Sequence, residues 1–145
     1  MKKVSILSVI IFAGCFILFA VCTESKAQSV AKVRKAIEES NQDYIRWFNN
    51  NHVDSLLSLY RDDACLLGQG CGKSAIRDYF ESQMNTYTFK ALQILSLSVG
   101  DSIAVEKGRW IMVFSTGDEL EGVYMTEWRL TNKKWLIVND IGTSK

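Results

Sequence analysis

The sequence predicts an α+β domain in which three N-terminal helices pack on a strongly curved antiparallel β-sheet. Two observations support this fold class. Apolar residues recur at three- and four-residue spacing up to about residue 84, and from Tyr87 onward the spacing changes to two. Short polar turns separate the later apolar runs, as in a β-meander. Helices that precede a sheet in this way are typical of α+β domains with the helices on one sheet face.

Residues 1–27 are predicted to be a signal peptide, and residues 28–145 a single domain. The first three residues include two lysines, residues 4–21 are almost wholly apolar, and Ser25 and Ala27 are small residues at the −3 and −1 positions of a cut after Ala27. Two alternatives stay open: lipidation at Cys15 or Cys22, or an uncleaved anchor, since the apolar run nearly spans a hydrocarbon core. Each predicts an exported domain, periplasmic or secreted.

Composition argues against several kinds of partner. The net charge is +1 for the whole chain and stays near zero without the leader, so no strong field is available for nucleic acid. Membrane contact is expected only through the N-terminal segment. We expect no cofactor and no metal, because the sequence has no phosphate loop, and its one histidine, His52, lies in an asparagine-rich turn.

The first two predicted helices follow from apolar spacing. The first runs from Ser29 to Phe48, where Asn49 to Asn51 end it. The second begins near Val53, buries Leu56, Leu57, Leu59 and Tyr60, and is expected to end at Arg61-Asp62-Asp63.

A short strand and a third helix come next. The strand is expected over Ala64 to Leu67, and Ser74 is expected to cap the third helix, whose inward residues are Ile76, Tyr79, Phe80 and Met84. Cys65 and Cys71 flank the turn between strand and helix. A disulfide between them is plausible in an oxidising compartment, and two buried apolar thiols are the alternative.

Four longer strands complete the domain. They are expected over residues 89–99, 103–114, 120–131 and 135–140, joined by Gly100-Asp101, Thr116-Gly117-Asp118 and Asn132-Lys133-Lys134. Alternation along the third of them places Tyr124, Thr126 and Trp128 on the inner face. The outer face is apolar enough to need a cover, which predicts a homodimer through the sheet.

The helices and the curved sheet are expected to leave a pocket for a small apolar molecule or a protein partner. Candidate lining residues carry rings or hydroxyl groups: Tyr44, Trp47, Tyr60, Tyr79, Trp110, Tyr124, Thr126 and Trp128. For the tryptophans, ordinary core packing is the alternative interpretation.

Several segments resemble the nuclear transport factor 2-like superfamily, which includes SnoaL-like polyketide cyclases and ketosteroid isomerases. They are residues 44–48 (YIRWF), 49–54 (NNNHVD), 59–64 (LYRDDA), 72–77 (GKSAIR), 127–130 (EWRL) and 135–138 (WLIV). The resemblance spans about residues 29–141, nearly all of the predicted mature chain, and it rests on the order and spacing of these segments. The resemblance implies a cone-shaped, cystatin-like α+β barrel around a pocket.

The resemblance also argues against isomerase chemistry. The position of the isomerases' aspartate base falls on Gly68, and that of their late acid falls on about Thr126; only the tyrosine is kept, as Tyr44. A glycine cannot transfer a proton. We therefore expect a non-catalytic binding domain.

Two other functions stay open. One is a cyclase, isomerase or lyase that uses Asp140 as base and Tyr44 as donor; the other is a structural oligomerisation module. For Asp140 the alternative is a solvated carboxylate paired with Arg109, and for Tyr44 it is a core residue whose hydroxyl reaches water.

Overall fold

The computed structural model describes residues 29–144, so the predicted signal peptide lies outside the described residues. The chain divides into two compact units, residues 1–34 and 35–145. Of the first unit, residues 29–34 are described and are helical. Apart from the start of the first helix, all further description concerns the second unit. Across residues 29–144, no helix combines the length and apolar character needed to cross a membrane.

Three helices and six strands make up the described chain. Helix α1 covers residues 29–49, which confirms the first predicted helix. The other elements are α2 (Val53–Leu57), β1 (Tyr60–Leu66), β2 (Gly70–Cys71), α3 (Gly72–Gln83), β3 (Tyr87–Val99), β4 (Ile103–Phe114), β5 (Glu119–Thr131) and β6 (Lys134–Ser144).

The strands form one curved, mixed sheet in the order β2-β1-β6-β5-β4-β3. Strands β3 to β6 are the predicted antiparallel meander. The sheet as a whole is mixed, because β1 pairs with β6 in parallel. Register shifts interrupt the β3–β4 and β5–β6 pairs, and such bulges bend and twist strands. Helices packed on a curved sheet confirm the α+β class.

Residues 61–63 do not end a helix, and that prediction is wrong. Helix α2 stops at Leu57, and Tyr60 already belongs to β1. The Ile137 N–H donates to the Leu59 carbonyl (2.8 Å), so pairing with β6 overrides the local helix signal. Arg61 and Asp63 then lie two apart on one strand face, where they form an ion pair that a helix would not allow.

Helix α3 is capped three residues earlier than predicted. Its N-cap is Cys71, not Ser74, and no side chain caps the free amides. Cys71 is the register partner of Cys65 across β1 and β2, and the two form a disulfide with Cα atoms 4.0 Å apart. The bridge therefore ties the start of α3 to the sheet edge.

The bridge gives a direct test. Trypsin is expected to release residues 62–73, which contain both cysteines. Alkylation without reduction should leave this peptide unmodified, and reduction should add two alkyl groups. Replacing both cysteines by alanine should lower the free energy of unfolding by about 2 kcal/mol, the loop-closure value for so short a loop. Alkylation of the unreduced native protein at either cysteine would contradict the bridge.

Candidate functional site

A cavity of about 90 Å³ lies against the inner face of the sheet. Helices α1 and α3 and strands β1 and β3 to β6 all contribute to its lining. The lining residues are Asn41, Tyr44, Leu66, Tyr79, Phe80, Tyr87, Phe89, Leu92, Trp110, Met112, Tyr124, Thr126, Trp128, Ile137, Asp140 and Gly142. The wall is thus mainly apolar and aromatic, with a few polar groups, as in many ligand sites.

Edge-to-face ring contacts build one wall of the cavity. The Tyr44 ring lies 5.9 Å from that of Phe80 and 5.5 Å from that of Phe89, both nearly perpendicular. Phe48 extends the cluster behind them, 4.9 Å from Phe89. Such contacts add about 0.5–1.5 kcal/mol beyond simple burial, so α1, α3 and β3 hold this wall in place.

Two glycines let large rings lie flat on the sheet. Gly108 faces Tyr124 and Gly122 faces Trp110 across neighbouring strands. A Cβ at Gly108 would stand 2.1 Å from Tyr124 Cζ, and one at Gly122 would stand 2.2 Å from Trp110 Cζ2. Contacts this short do not occur, so only glycine admits the rings that line the cavity floor.

Asp140 directs its carboxylate into the site. Thr126 Oγ1 donates to Oδ1 and Tyr60 Oη donates to Oδ2, each at 2.9 Å. Burial raises the pKa of Asp140, and the hydrogen bonds from Thr126, Tyr60 and the Ile141 backbone partly oppose that rise. The predicted alternative of pairing with Arg109 is wrong, because Arg109 lies on the other sheet face and contacts Glu121 (3.3 Å) and Gln93 (2.9 Å).

Tyr44 and Tyr60 extend the Asp140 network. Their hydroxyl groups interact with each other, and Tyr60 also donates to Asp140. Burial is the largest cause that raises the pKa of both tyrosines, and the negative charge of Asp140 is the second. Both phenols therefore stay protonated at any physiological pH and act as neutral hydrogen-bonding groups.

A second buried carboxylate, Glu106, lies beside the cavity. It is 0% exposed. Asn41 Nδ2 (2.7 Å) and Tyr124 Oη (2.5 Å) donate to its Oε1, and Trp128 Nε1 (2.9 Å) donates to Oε2. Burial raises its pKa, whereas these three hydrogen bonds lower it. Glu106 thereby fixes the orientation of three residues that line the cavity.

A larger surface depression, of about 170 Å³, lies at the other end of α1. Its three asparagines are already engaged: Asn51 donates to Asn85 (2.8 Å), and Asn49 bonds the backbone of Phe89 at both N and O. Because half of its lining residues are exposed and its asparagines are used internally, we regard the cavity at Asp140 as the candidate site.

Most of the predicted pocket residues line this cavity, although their contact with a ligand stays a prediction. Six of the eight do so: Tyr44, Tyr79, Trp110, Tyr124, Thr126 and Trp128. Tyr60 is buried behind Asp140. Trp47 is placed wrongly, since it is half exposed with Arg46 over its ring. His52 is exposed in its turn, and Gly68 lies in the β1–β2 turn.

Sequence reasoning missed Glu106, Asn41 and the apolar lining residues Phe89, Leu92 and Met112. The alternation along β4 did indicate that Glu106 faces inward, because it shares its strand face with Ala104, Gly108 and Trp110. For Asn41 the signal was its place on the apolar stripe of α1, four residues after Ile37.

No group of three or more possible metal ligands occurs within residues 29–144. No protein-family model matches the chain, and no curated protein is similar to it. Solved structures are similar in fold. A protein of unknown function from Nostoc punctiforme with a cystatin-like fold shares 14% identity at a TM-score of 0.69, covering 77% of this chain and 90% of its own.

Two further structures agree. A nuclear transport factor 2-like superfamily protein from Salmonella enterica shares 18% identity at a TM-score of 0.65, covering 79% of this chain and 92% of its own. A putative calcium/calmodulin-dependent protein kinase II association domain from Xanthomonas campestris shares 17% identity at a TM-score of 0.62. The match covers 79% of this chain and 86% of its own. The chain therefore has the nuclear transport factor 2-like fold that the sequence resemblance implied.

The raised pKa of Asp140 predicts a pH dependence of stability. Below the unfolded-state pKa of about 3.9 the Asp140 carboxyl is protonated in both the folded and the unfolded protein, so it does not lower the free energy of unfolding. As pH rises through the raised folded-state pKa, the folded protein must ionise a buried acid and loses stability. The melting temperature of Asp140→Asn minus that of the wild type should therefore increase from pH 4 to pH 8.

Exposed Asp101 supplies the matched control. The same difference for Asp101→Asn should stay nearly constant over this range. A difference for Asp140→Asn that is flat, or that decreases with pH, would contradict the assignment.

Proposed function

We propose that this domain of nuclear transport factor 2-like fold binds one small, mainly apolar molecule in the cavity at Asp140, without converting it. The single observation that carries this proposal is the cavity itself, which is walled by rings and has polar groups at only a few points. Unfilled space in a protein interior costs packing energy, which function can offset.

The volume limits the ligand. An apolar cavity of about 150 Å³ admits benzene, so a cavity of about 90 Å³ suits a molecule of about four or five heavy atoms. A larger aromatic ligand would require the rim to move. Leu92 and Met112 are half exposed and mark that rim.

Catalysis by Asp140 with Tyr44 is the second candidate. It is favoured by the placement of both residues in the lining of one cavity and by the raised pKa of Asp140, which suits a general base. Both carboxylate oxygens, however, already accept hydrogen bonds from Thr126 and Tyr60. We therefore place binding before turnover.

We further propose that the domain is exported. The leader pattern of residues 1–27 supports export, and so does the Cys65–Cys71 disulfide, since disulfides persist mainly in oxidising compartments.

The uncovered sheet face supports a homodimer, which we propose as the assembly. On that face Met125 is 49% exposed and pairs with Ile141, which is 44% exposed. Val123 lies two residues before Met125 on the same strand and Val105 lies diagonally across β4, both half exposed, whereas Lys107 is the direct partner of Met125 on β4. Ile111 and Val113 continue the apolar face farther along β4. A two-fold axis near Met125 would bury this apolar patch on both copies. A purely structural assembly role would use the same face and leave the cavity empty.

Ligand binding is tested by thermal shift with a library of small alcohols, amines, ketones and acids. Leu92→Trp should fill the cavity, whereas Leu95→Trp, at an exposed position three residues along the strand, should not. A ligand at 100 times its Kd should stabilise the wild type and Leu95→Trp by about 2.7 kcal/mol, and Leu92→Trp hardly at all.

The same screen separates binding from turnover. Mass spectrometry should recover the ligand unchanged after incubation with the protein, and its conversion by the wild type but not by Asp140→Asn would favour the enzyme instead. A flat response across the library would contradict the binding proposal and leave assembly as the function.

The dimer is tested by light scattering during size-exclusion chromatography. Met125→Glu should give a monomer, because two charges would face each other at the interface. Leu130→Glu, on the same strand but on the side of Trp128, should stay dimeric. A monomeric wild type, or a Met125→Glu dimer, would contradict the proposed interface.

A further inference from the structure

The cavity contains negative charge without a matching cation. Asp140 lines it and Glu106 lies directly behind it, held by the lining residues Asn41, Tyr124 and Trp128. None of the lining residues, all of them described, is a lysine, arginine or histidine. The ion pairs found among residues 29–144 lie elsewhere and involve neither carboxylate. Buried carboxylates are usually paired, so this arrangement is unusual.

The hydrogen-bond directions favour the ionised forms. The partners of Glu106 include an amide N–H and an indole N–H, which can only donate. Asp140 accepts from the Ile141 backbone N–H, from Thr126 and from Tyr60. A protonated acid could give its proton only to a hydroxyl oxygen of Tyr124, Thr126 or Tyr60, whereas a carboxylate accepts from all of its partners.

The same directions decide what the cavity offers a ligand. Tyr124 gives its hydroxyl proton to Glu106, and Thr126 gives its proton to Asp140. The Thr126 oxygen therefore keeps lone pairs for the cavity beside the carboxylate of Asp140, and the Tyr124 oxygen, which also accepts from Asn41 Nδ2 at 3.4 Å, keeps one. Tyr79 and Tyr87 interact with each other. At the Asp140 end, a ligand that donates meets the carboxylate and the Thr126 oxygen, beside the Tyr44 hydroxyl.

The walls suit a cation as well. Rings from Tyr44, Phe80, Trp110 and Trp128 line the cavity. The faces of aromatic rings attract ammonium groups, most strongly where water is excluded. A carboxylate together with several rings is a favourable environment for a small alkylammonium ion.

We propose that the ligand of this cavity is a small alkylammonium ion, whose N–H groups are bound by Asp140 and by the oxygens of Thr126 and Tyr124. This inference rests on the proposed function, because it names the chemical class of ligand for the same cavity. A primary ammonium donates up to three hydrogen bonds and supplies the charge that the lining lacks.

The experiment compares three probes with one branched carbon chain: isobutylammonium, isobutanol and isobutyrate. Binding to the purified protein is measured at pH 8 by calorimetry or by NMR titration. The ammonium ion should bind about tenfold more tightly than the alcohol, since charge-assisted hydrogen bonds are about twice as strong as neutral ones. Isobutyrate should not bind.

Asp140→Asn should reduce this preference to less than about threefold while the alcohol still binds. Asp101→Asn, an exposed turn variant, should keep the preference intact. Backbone NMR spectra of each variant establish that it is folded before the comparison is made.

A pH titration of the wild type gives a second measurement that needs no variant. Four titratable groups surround Asp140: Tyr44 from α1, Tyr60 from β1, Glu106 from β4 and Tyr124 from β5. The pKa of each tyrosine is raised, so a change in the charge of this cluster below pH 8 can come only from the carboxylates. Affinity for isobutylammonium should decrease as pH falls from 8 to 4, and affinity for isobutanol should stay constant.

Failure of this inference is distinct from failure of the proposed function. Equal affinity for ammonium ion and alcohol, or tightest binding of isobutyrate, would overturn the cation assignment but leave ligand binding in place. If none of the three probes nor any library compound bound, both proposals would be wrong.

Discussion

The buried carboxylate of Glu106 is the constraint on which the site depends. Its side chain is wholly removed from water, so its carboxylate oxygens need hydrogen-bond donors from the protein itself. The donors come from α1 through Asn41 and from β5 through Tyr124 and Trp128. These bonds tie α1 and β5 to one side chain of β4, and all three donors also line the cavity.

Much of the fold could be predicted because its signals are local. Strand β4 has the predicted bounds, and the alternation at Tyr124, Thr126 and Trp128 places them on the inner face, because a period of two is a property of consecutive residues. The prediction at residues 61–63 was wrong for the opposite reason. Their strand forms through parallel pairing with β6, about 75 residues later, and no local pattern records such a partner.

The site was predictable only in part. Tyr44 and Asp140 were identified as candidates, and the structure brings both to one cavity. Glu106 was missed because a glutamate on a strand is ordinarily solvent-exposed, and only three donors from distant segments make its burial tolerable. Trp47 was misplaced because helix periodicity groups residues on one face of a helix but does not say which other elements that face contacts. Contacts between elements decide a binding site, and these depend on tertiary packing.

The two carboxylates reduce stability, which raises the question of why the domain has them. Burial raises the pKa of both Asp140 and Glu106, so each reduces the stability of the folded protein near neutral pH. Neutral residues of similar shape would avoid this cost, as replacements of buried charges by apolar groups often do. Glu106 gains three hydrogen bonds in return and orders the cavity wall. Asp140 also accepts three hydrogen bonds, but its carboxylate lines the cavity. A destabilising group that is aimed at a cavity is best explained by what enters that cavity, since functional sites commonly sacrifice stability for binding.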